Sequence, residues 1–388
     1  MNLGIYIQVP FCQTKCTYCN FHTGVVATSR FAPYIASVTK EVQQHTRLYQ
    51  AAGISLPNDL VNATVDTVYI GGGTPSLLNP ADLHAVLEAI RSTFSGTLTE
   101  VTLEADPETI DASKAAAWAR AGIDRVSFGA QSFSDEELIA AGRMHRREDL
   151  YRAAPTLRDA GITNISFDLI AGLPRQTLQS WRRSLEELIA MHPSHISIYM
   201  MEIDEGSRLG REVLSGGKRY SADALPSDEQ MADSYDLAQQ QLAAAGYVHY
   251  EISNWALPGF ESRHNLKYWR REPYLGFGAG AHSFSGTQRW ANAHDAASYV
   301  ASLENGLLPI EQLENVSSDQ ALEEELFLGL RQLAGIDCTR IEKEYGVSLA
   351  PKLQHLAANG LIEREGDIVR LAPEKLSISN EVFVELLR

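Results

Sequence analysis

Residues 3–22 read LGIYIQVPFCQTKCTYCNFH. Positions 3–8 form a short run of β-branched, aromatic and aliphatic residues of the kind found in strands. The run empties into a loop that carries Cys12, Cys16 and Cys19. Three of the chain's four cysteines fall within eight residues, and Cys338 is far away. This is not a disulfide framework, and 388 residues supply a core without one. Thiolates at this density hold metal. Two fillings suit them: an iron–sulfur cluster, which three thiolates hold while leaving one iron open, or structural zinc, with His22 completing the set.

Outward from this loop one unit recurs: an apolar run, a loop, an amphipathic helix, then a glycine. Strands are expected at 3–8, 67–70, 100–104, 124–128, 164–170 and 195–201. Asn79 before Pro80 reads as a helix cap, with Leu83, Val86, Leu87 and Ile90 on one face. Ser134 with Glu137, and Ser227 with Gln230, read as capping boxes. Gly122, Gly161 and Gly246 read as helix stops. Repeated strand–helix units imply a parallel sheet with right-handed crossovers. A doubly wound open sheet and an incomplete barrel both satisfy that pattern. Residues 206–226 read as a loop over the sheet's mouth, and 276–280 as a Gly-rich turn. Helices at 320–333, 338–345 and 349–359, then a hairpin at 361–371, suggest a small winged-helix-like module. The expected division is 1–205, 206–305 and 306–388.

The net charge of -16 argues against a nucleic-acid partner. No run of 18 apolar residues is present, so no transmembrane helix is expected. No secretory leader is evident either, and the cytoplasm is the expected location.

Ligands of parallel α/β folds bind at the carboxyl ends of strands. The cysteine loop and Gly71-Gly72-Gly73-Thr74-Pro75 fall there, as do Glu104, Gln131, Asp168 and Glu202, with Arg143 ending the helix after Gln131. The glycine triplet suits either a tight turn or close approach of backbone to a ligand. His264-Asn-Leu-Lys-Tyr-Trp269 and Gly276-Phe-Gly-Ala-Gly-Ala-His282 bring histidines and aromatics together. These could meet a metal, a haem or another flat ring, or be hydrogen-bonded core. His145 and Cys338 have no evident partners.

These motifs together resemble the radical S-adenosylmethionine (SAM) superfamily, whose Cys-x3-Cys-x2-Cys signature has an aromatic before the last cysteine, here Tyr18. Gly-Gly-Gly-Thr-Pro, the Glu104 strand, Val126-Ser-Phe-Gly-Ala-Gln-Ser132 and Asp168-Leu-Ile-Ala-Gly-Leu-Pro174 resemble the oxygen-independent coproporphyrinogen III oxidase family over nearly the whole chain. The resemblance implies an α/β fold: an incomplete (β/α)6 TIM-like barrel with a small, mostly helical C-terminal domain. It implies a 4Fe-4S cluster on Cys12, Cys16 and Cys19, with SAM chelating the fourth iron. Tyr6, Gly72 and Glu104 match SAM contacts, and the backbone of Tyr18 an adenine contact. Gly73, Thr74, Gln131, Arg143 and Asp168 match positions holding a second SAM in the oxidase. His282 falls where the oxidase touches SAM through an isoleucine. Cluster reduction would cleave a C–S bond of SAM.

Two features depart from the oxidase. Its pattern continues Cys-x-Cys, and here Phe21 stands in that place; and only eleven residues precede Cys12. His264-Asn-x-x-Tyr-Trp269 instead resembles the HemW branch of haem chaperones. That branch implies haem as cargo, with His264 a candidate for its site. Its implied partners are acceptor haemoproteins, membrane-associated respiratory proteins among them, and it admits a homodimer. Oxidase activity, decarboxylating two propionates of coproporphyrinogen III, is the alternative. No catalytic residue is assigned.

Overall fold

The computed structural model describes residues 2–387. Its main sheet is built from β1 (Asn2–Val9), β2 (Thr64–Gly72), β3 (Glu100–Ala105), β4 (Arg125–Gln131), β5 (Asn164–Ala171) and β6 (His195–Met200). It continues with β7 (Val248–Glu251), β8 (Asn254–Ala256), β9 (Tyr274–Phe277), β10 (His282–Phe284), β11 (Gln288–Asn292) and β12 (Ile310–Asn315). The order is β12-β11-β10-β9-β1-β2-β3-β4-β5-β6-β8-β7. β1 to β6 run parallel to one another, and β9 adds to β1 in the same sense. The terminal strands β12 and β7 do not pair, so the barrel is not closed.

The alternation along these strands makes the site. Val68, Ile70, Val101, Leu103, Val126, Phe128, Ile165 and Phe167 are buried, alternating with Thr67, Tyr69, Thr102, Glu104, Arg125, Ser127, Ser166 and Asp168. Parallel register aligns the second set across strands: Tyr69 with Thr102, Glu104 with Ser127, Asp168 with Ser197. The apolar set packs under helices and the polar set lines the barrel's interior.

The helices start and stop for local reasons. Asn79 accepts the amide of Ala81 and opens Pro80–Thr93, which buries Leu83, Val86, Leu87 and Ile90. Gly122, with φ 88°, closes Ala112–Ala121. Ser227 and Gln230 cap Asp228–Ala244 reciprocally. Ser134 makes no such box. Glu137 is buried instead, accepting hydrogen bonds from Ser132 (2.7 Å) and Gln176 (3.2 Å).

Residues 206–226 hold more structure than a loop. A helix, Arg208–Leu214, starts at Ser207, whose hydroxyl accepts the amide of Gly210 at 2.8 Å. Gly210 is needed there, because a Cβ would come within 1.9 Å of the Asp204 carbonyl oxygen. The C-terminal segment holds helices Ser318–Arg331, Cys338–Tyr345, Ala350–Ala358 and Ser379–Leu387 around a sheet of β13 (Ile336–Asp337), β14 (Ile362–Glu365) and β15 (Ile368–Leu371). Glu324 between Arg271 and Arg289, and Arg331 on Glu251, join it to the sheet extension. Among the described residues no helix is long and apolar enough to cross a membrane.

Candidate cofactor site

A cavity of about 350 Å³ opens at the carboxyl ends of the parallel strands. Cys12, Cys16 and Cys19 line it, with Tyr18, Gly72, Gly73, Thr74, Glu104, Gln131, Arg143 and Asp168. Tyr6 lies deeper in the barrel, its hydroxyl donating to Gln8 at 2.8 Å. Neither His264 nor His282 is among the lining residues, and Glu202 is exposed away from it.

The cysteine loop is held at several points. The amide of Cys12 donates to Gly24 (3.0 Å) and that of Gly24 to Pro10 (2.9 Å), closing its neck. Thr17 donates from its amide and its hydroxyl to Ala141. The 208–214 helix docks from outside, with Leu209 donating to Thr17 (2.8 Å) and Arg208 to Lys15. Burial pushes the Cys12 and Cys19 thiols up.

The glycine triplet owes its composition to close packing. A Cβ on Gly73 would meet the carbonyl oxygen of Phe11 at 2.5 Å, and one on Gly71 would meet Glu104 at 2.9 Å. Gly72 has φ 109° and donates its amide to Glu104 at 2.9 Å. The other Glu104 oxygen accepts from Tyr69 at 2.9 Å. Burial raises the Glu104 carboxyl to about 7. Burial likewise raises Asp168, which accepts from Ser127. Gln131 has φ 64° at a bulge in β4, a sparsely populated conformation that turns its side chain into the cavity.

Arg143 is the hub. It pairs with Asp106, donates to Gly129 (2.8 Å) and His145 (3.4 Å), and reaches the sulfur of Cys16 at 3.4 Å. Burial works against its charge, and Asp106, Tyr18 and Cys16 more than offset that. Asp106 also accepts from Thr74 at 3.0 Å. His145 is fully buried, and burial followed by Arg143 lowers its imidazole to about 4. Because Nδ1 accepts from Arg143, Nε2 carries the proton and donates to Ala130 (3.0 Å). Asp106 and Tyr199 line the cavity and were passed over in the sequence, and His145, which showed no evident partner there, is held by Arg143 and Ala130. The available signal was Asp106-Pro107 at the carboxyl end of β3.

The His264 segment sits at the other end of the barrel. The amides of Arg263 and His264 donate to Glu100, the first residue of β3, both at 3.0 Å. Lys267 pairs with Asp66 at 2.9 Å. His264 is buried, and both ring nitrogens are engaged, with Thr67 (3.0 Å) and Tyr268 (2.9 Å). Burial and then Lys267 lower it to about 3. This is a hydrogen-bonded core histidine that props Tyr69 beneath Glu104, at a ring separation of 5.4 Å.

An open parallel barrel with three thiols on the first loop and a glycine turn facing them is the architecture of a radical SAM protein. Residues 6–188 match the family model of the radical SAM superfamily, and residues 316–374 that of the HemN C-terminal domain. The chain is 34% identical to heme chaperone HemW of Bacillus subtilis over 97% of both chains. It is 36% identical to heme chaperone HemW of Synechocystis sp., covering 87% of this chain and 79% of that one. The fold matches coproporphyrinogen III oxidase (HemN) of Escherichia coli with a TM-score of 0.84 at 20% identity, over 99% and 89% of the two chains. The chain belongs to the HemW family.

Proposed function

We propose that this chain is a haem chaperone, which binds haem and hands it to acceptor haemoproteins. The observation that carries this reading is near-full-length similarity to relatives named heme chaperone. Phe21, in place of the oxidase's further cysteine, supports it.

The residues present fit a 4Fe-4S cluster. Three half-buried thiols share one loop and one cavity, and Arg143 donates toward Cys16. Cys12, Cys16 and Cys19 would hold three irons, leaving the fourth open to the amino and carboxylate groups of SAM. Tyr6, Gly72 and Glu104, with the backbone of Tyr18, form the proposed SAM contacts. Gly73, Thr74, Gln131, Arg143 and Asp168 supply the polar wall beside them. When bound, the cluster and SAM supply one-electron chemistry and an anchor for the loop. Glu104 offers a carboxylate to a cationic ligand, Asp106 and His145 fix Arg143, and Tyr199 lines the same cavity. Three unpaired thiols suit a reducing compartment such as the cytoplasm. Acceptors that include membrane-associated haemoproteins fit the same reading.

The test is anaerobic reconstitution with iron and sulfide. Haem and coproporphyrinogen III are then added separately, the latter with SAM and a reductant. A stable, saturable Soret shift with no protoporphyrinogen above the no-protein control supports the chaperone. Turnover without haem binding would establish the oxidase instead.

A further inference from the structure

Of the eleven histidines, five are engaged inside the fold. His45, His145, His195, His249 and His264 each hydrogen-bond to neighbouring groups. His84 and His355 are exposed on separate helices, and His192 is exposed in the turn after Leu178–Ala190. The remaining three gather at one place. His22 and His294 stack with ring centroids 4.0 Å apart. His282 lies beside them. Burial, then His294, Arg289 and His22, hold its imidazole below the usual range. Nδ1 of His294 is buried with no hydrogen-bond partner, and a Cβ on Gly280 would approach it to 2.7 Å, so glycine makes room for the ring.

These rings adjoin an exposed apolar loop. Phe21 is 66% exposed, Val25 60% and Val26 36%. His22 falls between Phe21 and Thr23, both of which line the cavity mouth. Three apolar side chains exposed within six residues, beside the histidine cluster, offer a flat ring an apolar face.

The three imidazoles do not form a chelate. Among the described residues no group of three or more His, Cys, Asp or Glu is arranged to hold a metal ion. Haem brings its own equatorial nitrogens and needs an axial ligand and an apolar face from the protein. His264, with both nitrogens engaged, offers no lone pair in this structure.

We propose that the haem iron is ligated by an imidazole of the His22–His282–His294 cluster, with the macrocycle lying on loop 21–26. This rests on the haem-chaperone reading and assigns the ligand within it.

The experiment titrates haemin into the cluster-reconstituted full chain and follows the Soret band and the iron EPR signal. The variants are His22→Ala, His282→Ala, His294→Ala and the three combined, with His84→Ala as a surface control. The triple variant should bind at least about tenfold more weakly, added imidazole should restore the wild-type Soret position, and one single variant should reproduce the loss. Binding within about threefold of wild type, with an unchanged Soret band, overturns the assignment while the haem reading stands. No binding by wild type overturns both. If the triple variant fails to retain its cluster, the single variants decide: three wild-type spectra overturn the assignment.

Discussion

Replacing Arg143 by methionine tests how the cavity is held. Its side chain is 10% exposed and that of Asp106 19%, so the pair is largely withdrawn from water. Removing one member of such a pair costs about 3–5 kcal/mol, because the remaining charge is left uncompensated. Gly129 and Nδ1 of His145 also lose their donor. His145 cannot recover by changing tautomer, because Nε2 must keep its proton for Ala130. Asp106→Leu in the same chain removes the stranded carboxylate and loses only the Thr74 contact in addition. The double variant should therefore be more stable than the sum of the singles by about 2–3 kcal/mol. Urea unfolding of the metal-free chain reads this through the buried tryptophans 118, 181, 255 and 290. Unchanged m values are required for the comparison. Additivity within about 0.5 kcal/mol would refute the coupling of Asp106 to Arg143.

Three further outcomes follow from the same geometry. Glu41 is buried against Tyr299, Gly278 and Asn292, and burial raises it to about 7. A raised carboxyl stabilises the fold below about pH 4.5 and loses that contribution as pH rises through 7, up to about 3 kcal/mol. The stability advantage of wild type over Glu41→Gln should therefore shrink across that window; a constant difference in urea midpoints would contradict it. Glu104 is also raised to about 7 by burial, so SAM affinity measured by calorimetry should strengthen as pH rises through 7 and stay flat in Glu104→Gln. His264→Leu strands the hydroxyls of Thr67 and Tyr268 and should cost about 2–5 kcal/mol. A melting temperature equal to wild type would show that this network carries no stability.

The six parallel strands were legible because each is a short run rich in β-branched and aromatic residues, bounded by loop and helix signals. The cysteine loop and glycine triplet were legible because their residue types have few other uses. β9 was not: Gly276 and Phe277 pair with Tyr6 and Ile7 of β1, a contact across some 270 residues that leaves no local periodicity. Gly276 is required because a Cβ would meet the His282 carbonyl oxygen at 2.1 Å. The 208–214 helix was hidden by Gly210, and Ser134 kept its cap-like sequence while Glu137 turned inward. Around the cavity, sequence located the three cysteines, the glycine turn, Glu104, Gln131, Arg143 and Asp168, but it did not separate them from Glu202, His264 and His282, which lie elsewhere; it missed Asp106 and gave His145 no partner, although both meet Arg143. Such groups carry ordinary residue types, and their meaning lies in distances alone. The histidine cluster was hidden for the same reason, since His22 and His294 are 272 positions apart.

A chaperone must give its haem up to another protein, and transfer can be followed directly. Haem-loaded, cluster-reconstituted chain is mixed with an apo-haemoprotein from the membrane respiratory class, and the acceptor's Soret spectrum and activity are followed after separation. Haem should leave this chain and activate the acceptor faster than free haem at equal concentration. Haem that stays on this chain, or transfer no faster than from free haem, would contradict the chaperone reading.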